Sequence, residues 1–187
     1  MLLTRYLLWK TDDNNVGLKT TRLWGQELAI APGNVKQLGN RTELMDSSGL
    51  WWVESWVSGG SLAEGPELIF RGGYYYLFFA AGKYCQDSYS EGVARSKSIR
   101  GPYEKMPVPL LSTGLTGNTG GQKQVGPGHA SFLTVGQRYF AVYHASPGEN
   151  CDRHAFVEEM KFDEASGWPY VDFGSKAAAS YEFAAAE

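Results

Sequence analysis

The sequence predicts an all-β chain that forms part of a β-propeller, and three observations carry that expectation. Aromatic residues make up 14% of the 187 residues and glycine numbers 23, the mixture of a turn-rich sheet protein. Short apolar runs are bounded by turn residues: Leu68-Ile69-Phe70 runs into Gly72-Gly73, whose positive φ values suit a tight hairpin, and then into Tyr74-Tyr75-Tyr76-Leu77-Phe78-Phe79. A strand-pair phrase also recurs three times along the chain.

In chain order, Arg5–Lys10 is the first strand. The polar loop Thr11-Asp12-Asp13-Asn14-Asn15 separates it from a partner over Thr21–Leu28. The phrase returns at Tyr75–Ala80 with a partner over Glu91–Ser96, and again at Arg138–Tyr143 with a partner over His154–Met160. Taking Tyr6, Tyr76 and Tyr139 as markers, the repeat is 70 and then 63 residues, and each marker precedes its partner's centre (Arg22, Val93, Phe156) by 16 or 17. Hairpins repeated at this spacing suit blades around a central channel; a β-sandwich is the alternative. Tyr75–Ala80 is apolar throughout, which predicts a strand packed on both faces.

In a propeller the innermost strand of each blade lines the channel. Glu64 opens that strand in the second unit, 12 residues before Tyr76, and His129 opens it in the third, 10 residues before Tyr139. Gly65-Pro66 blocks regular pairing just after Glu64 and leaves the carboxylate at a strand mouth. The equivalent strand of the first unit would open upstream of Met1. Residues 1–174 therefore read as the C-terminal portion of a larger domain with about three blades present, and 175–187 as a disordered or weakly helical tail.

Composition narrows the function classes. The net charge of −3 and the lack of a basic run argue against a nucleic-acid partner or an anionic membrane surface. No apolar stretch approaches the roughly 20 residues that span a bilayer, and the segment from Met1 to Lys10 is too short and interrupted for a secretory signal. The aromatic-rich composition is also that of carbohydrate-handling surfaces. Cys85 and Cys151 fall in corresponding loops and can pair if the chain is exported; two free buried thiols are the alternative. Asn40-Arg41-Thr42 is a glycosylation sequon, meaningful only in a secreted chain.

Several segments, in order from Arg5 to Gly174, resemble glycoside hydrolase family 43. They are Tyr6–Asp12, Ala63-Glu64-Gly65-Pro66 before Gly73–Leu77, and Gly92-Val93-Ala94-Arg95-Ser96 with Gly101-Pro102-Tyr103. Gly126–Ser131, Tyr143-His144 and Gly167-Trp168-Pro169 follow. The resemblance implies a five-bladed propeller, extracellular and monomeric when complete, that hydrolyses arabinose- or xylose-containing plant polysaccharides with inversion. It implies an Asp as general base, a second Asp that modulates pKa, and a Glu as general acid. Glu64 matches the acid's motif. Both aspartates belong to sequence that would precede Met1, and neither Asp12 nor Asp13 takes their place. His129 matches the family's channel histidine, near which a calcium or other ion can sit, commonly through water; no cofactor is required.

Inverting hydrolysis needs one protonated carboxyl at the leaving oxygen and one carboxylate on a water, roughly 6.5–9.5 Å apart. Apolar walls and a second carboxylate would raise the acid's pKa and keep it loaded. Without the two aspartates, the expectation is a chain that hydrolyses glycosides weakly or not at all. A non-catalytic sugar-binding fragment is the alternative. Trp52 is a candidate for stacking on sugar, with Trp51, Trp56, Tyr84 and Tyr89 behind it, although packing between blades explains such aromatics equally well. Arg153 could bind a hydroxyl or carboxylate at the mouth, or simply join a surface salt bridge. His144 and His154 read as structural because neither opens an inner strand.

Overall fold

The computed structural model describes residues 5–12, 20–50, 52, 61–116, 123–148 and 150–173. The 175–187 tail, Trp51, Trp56 and Asp13 lie outside the described residues. The chain is all-β apart from one turn of helix, α1 (Thr113–Thr116). Three antiparallel sheets follow one another along it. The first is β1 (Arg5–Asp12), β2 (Thr21–Ala31) and β3 (Asn34–Asp46), paired in that order. The second is β4 (Ala63–Arg71), β5 (Tyr74–Ala81), β6 (Ser90–Ser96) and β7 (Glu104–Lys105). The third is β8 (Val125–Val135), β9 (Arg138–Ser146), β10 (His154–Phe162) and β11 (Pro169–Val171).

These sheets are blades of a partial propeller. The three marker tyrosines occupy matching strands: Tyr6 in β1, Tyr76 in β5 and Tyr139 in β9, each paired with the next strand of its blade. β4 lies against β1 and β2 in the way β8 lies against β5 and β6. The first sheet thus shows three strands where its neighbours show four. Sequence reasoning missed the outer strands β3, β7 and β11. β3 carries eight exposed residues in a row at its start, and β7 and β11 are two and three residues long, so neither shows an apolar period.

β5 is the reason the sheets hold together. Its side chains alternate across the strand, and both faces are covered. Tyr76 and Phe78 join Ala141, Tyr143, Met160 and Trp168 in the core toward the third sheet. Leu77, Phe79 and Ala81 join Leu23, Leu44 and Met45 in the core toward the first. Removing one such aromatic would cost about 3–5 kcal/mol.

Each inner strand is bulged at its functional residue. In β4, Glu64 stands opposite Ala80 and Glu67 opposite Phe78, so Gly65 and Pro66 face Phe79 alone. In β8, Gly128 stands opposite His144 and Ser131 opposite Val142, so His129 and Ala130 face Tyr143 alone. His129 therefore does not open its strand as expected. β8 begins four residues earlier, at Val125, and the bulge supplies the break that sequence reasoning assigned to the strand's end.

Candidate active site

The two bulges aim Glu64 and His129 at one another. Glu64 Oε1 lies 3.6 Å from His129 Nδ1. Gly65 makes this approach possible, because a Cβ at its φ of +58° would stand 2.9 Å from His129 Nε2. His129 holds a left-handed φ of 54°, uncommon for a residue with a side chain. Tyr89, immediately before β6, completes the contact from the side: its hydroxyl donates to Glu64 Oε1 at 3.0 Å and lies 3.4 Å from His129 Nδ1. The other carboxylate oxygen, Oε2, accepts from Lys10 Nζ at 3.2 Å. His144 stacks on the Tyr89 ring, with centroids 5.7 Å apart and planes 14° apart, and its own ring is 6.3 Å from that of His129.

All three sheets thus meet at one carboxylate, with Lys10 from the first, Glu64 and Tyr89 from the second, and His129 and His144 from the third. The electrostatic consequence runs against the expectation of a raised pKa. The His129 imidazole, with the Tyr89 hydroxyl and the Lys10 ammonium, outweighs burial and holds Glu64 down to about 2. None of these groups is a carboxylate. Burial, the nearby Arg153 charge and His129 push His144 below the usual imidazole value. Burial and the adjacent Glu64 push the Tyr89 hydroxyl up, so it stays a donor.

The remaining expected site residues fall in two places. Trp52 stacks on Phe79 at 6.3 Å and lies over Gly92, packed against the core toward the first sheet. Arg153 is exposed, with its guanidinium 5.1 Å over the ring of Tyr84, and among the described residues that aromatic face, rather than a carboxylate, is its partner. Cys85 and Cys151 form a disulfide with Cα atoms 5.2 Å apart, joining the loop that carries Tyr84 and Tyr89 to the one that carries Arg153. An open groove of about 450 Å³ between the first two sheets is lined by Tyr6, Leu8, Pro66, Leu68, Phe70 and Tyr75 among others. It includes neither Glu64, Tyr89 nor His129, so the titratable cluster is the better candidate for chemistry.

Among the described residues no group of three or more His, Cys, Asp or Glu side chains is arranged to hold a metal. His129 offers one nitrogen where calcium takes six to eight oxygens, so these side chains do not build a protein-ligated calcium site. Sequence reasoning missed Lys10, the part played by Tyr89, and His144. A signal existed for the first: Lys10 lies four residues past Tyr6, as Ala80, the partner of Glu64, lies four past Tyr76. His144 follows the strand position opposite the β8 bulge, which only the register reveals.

The decisive comparison is with protein families, where the profile of Glycosyl hydrolases family 43 matches residues 4–169. The chain belongs to glycosyl hydrolase family 43. Among curated family 43 relatives, the extracellular exo-α-(1→5)-L-arabinofuranosidase ArbA of Cellvibrio japonicus is 32% identical over 144 residues, covering 71% of this chain and 37% of that protein. A β-D-galactofuranosidase of Aspergillus niger is also 32% identical, over 108 residues, covering 54% of this chain and 29% of that protein. Among solved structures, a thermostable family-43 glycoside hydrolase superposes with a TM-score of 0.73 at 25% identity, covering 90% of this chain and 54% of that one. This family 43 chain spans between about a third and a half of the length of these relatives.

Proposed function

We propose that this chain carries the acid side of an inverting glycosidase site, with Glu64 as general acid, acting outside the cell on arabinose- or xylose-containing plant polysaccharides. The observation behind this reading is the convergence of Lys10, Tyr89 and His129 on Glu64 at the bulged start of an inner strand. Side chains from three blades around one carboxylate are what a site at a propeller mouth requires, and a solvated strand-end glutamate would have no use for them. The extracellular relative supports the location and the substrate class.

In this reading Tyr89 and Lys10 orient the carboxyl, each holding one oxygen. A protonated Glu64 gives its proton to the glycosidic oxygen as the bond to the anomeric carbon breaks. A water attacks the opposite face of the sugar and loses its proton to a second carboxylate, which is not one of the groups described around Glu64. His129, half-exposed beside Glu64, and Arg153, at the disulfide-joined rim, contact sugar hydroxyls; Trp52 supports the site by packing. No cofactor enters these steps, and an ion near His129 would keep a mostly aqueous shell.

A second reading is a sugar-binding chain without catalysis, and the depressed pKa of Glu64 favours it. A carboxyl titrating near 2 is ionised at neutral pH and holds no proton to donate. One experiment separates the two: the purified chain is incubated with arabino- and xylo-oligosaccharides, and both binding and reducing-end release are measured. The glycosidase reading expects hydrolysis, slow with this charge pattern, that Glu64→Gln abolishes. Binding that survives Glu64→Gln, with no hydrolysis by either protein, establishes the second reading.

A further inference from the structure

Glu91 lies in β6, two residues past Tyr89, and is fully buried. A buried carboxylate away from solvent is costly unless it is bonded. Here Oε2 accepts the backbone N–H of Ala130 at 3.1 Å, and the backbone of His129 also contributes a bond to this carboxylate. Oε1 is buried and has no partner among the described residues. The main chain of Glu91 is tied independently, through its N–H to Leu111 and its carbonyl to the amides of Leu110 and Leu111. The side chain is therefore held on a fixed strand and directed at one feature, the bulge of β8.

That bulge presents a problem that Glu91 solves. β8 is an edge strand of its sheet, so amides on its outer side have no ladder partner. A left-handed residue followed by ordinary backbone turns successive N–H groups toward one point, which suits an anionic oxygen. His129 and Ala130 present that arrangement, with φ of 54° at His129. Two residues further on, the amide of Phe132 is taken in the same way by Glu67 Oε1 at 3.0 Å, from β4. Two carboxylates of the second blade thus satisfy the inner strand of the third.

We infer that Glu91 is a positioning residue, whose buried carboxylate fixes the His129–Ala130 bulge and so aims the His129 ring at Glu64. Its bearing on catalysis rests on the glycosidase reading, whereas its bearing on geometry does not. Glu67 supplies an internal control, since it bonds the same strand without touching the bulge. Glu91 makes no contact with sugar and takes no part in proton transfer.

The test uses the full 187-residue chain, isotopically labelled, without substrate. In Glu91→Met the acceptor is lost while the side chain stays long and apolar. Amide exchange at Ala130 should rise at least about tenfold while Phe132 stays protected. The through-space signal between the Gly65 α-protons and the His129 ring should be lost. Glu91→Gln, which keeps an acceptor oxygen, should restore both, and the Ala130 amide resonance should move while that of Phe132 does not. Unchanged Ala130 protection and an intact Gly65–His129 signal in Glu91→Met overturn the role. Should Glu91→Met fail to fold, an Ala130 resonance unmoved in Glu91→Gln overturns it instead. Hydrolysis assayed on the same proteins separates the two claims: an inactive wild type that still shows the Ala130 and His129 effects refutes the glycosidase reading and leaves the positioning role standing.

Discussion

The Tyr89 hydroxyl donates a 3.0 Å hydrogen bond to Glu64 Oε1 from the strand next but one in the same blade, and with Lys10 on the other oxygen it gives both lobes of the carboxylate a donor. A carboxylate so supplied is stabilised as an anion. That arrangement, more than burial, governs what Glu64 does.

The first consequence is a dependence of stability on pH. Glu64 is depressed in the folded chain, from 4.5 to about 2. A depressed carboxylate contributes stability above its unfolded pKa, and the contribution disappears as pH falls through the folded value. Stability should therefore fall between about pH 5 and pH 2, by up to about 3 kcal/mol, less the screening expected for a side chain 22% exposed. Denaturant unfolding across that range should show the slope, and Glu64→Gln should flatten it. Equal slopes in both proteins would refute the assignment.

Removing the donors should move the titration itself. Tyr89→Phe deletes one hydrogen bond and Lys10→Met one hydrogen bond and one charge, so each should raise the Glu64 pKa. Carboxyl carbon shifts followed through a pH titration would report it. A Glu64 curve unmoved in both variants would mean that the anion is held by something else.

Gly65 tests the contact between the two inner strands. Gly65→Ala places a methyl 2.9 Å from His129 Nε2 at a φ of +58°. Both the strain and the clash should push His129 from Glu64, with a stability loss of about 1–3 kcal/mol. The Glu64 pKa should rise with the loss of its imidazole neighbour. Wild-type stability and an unchanged Glu64 titration would show that the ring is not seated as described.

The disulfide should be a large stabiliser, because Cys85 and Cys151 are 66 residues apart. Closing a loop of that size restricts the unfolded chain by on the order of 4 kcal/mol. Cys85→Ser with Cys151→Ser should lower the thermal midpoint by several degrees and loosen the contact of Arg153 with Tyr84. A midpoint equal to that of the oxidised wild type would place the two loops' order elsewhere.

Much of this protein was determined by local sequence. The runs around Tyr6, Tyr76 and Tyr139 made strands because β-branched and aromatic residues suit a pleated surface, and their spacing made blades. The unbroken apolar run of β5 foretold burial on both faces, since alternate side chains must each find a core. Glu64 and His129 were legible as matched positions before any coordinate was known. Tertiary structure alone decided their chemistry. Lys10, Tyr89 and Glu64 come from positions far apart in the chain, so the sign of the Glu64 shift depended on distances that no local pattern encodes. The bulges at Gly65-Pro66 and His129-Ala130 are likewise products of register, which is set by pairing between strands. Glu91 is the extreme case: a charged residue in a strand reads as solvent-facing, and only the neighbouring blade's free amides explain why it is buried.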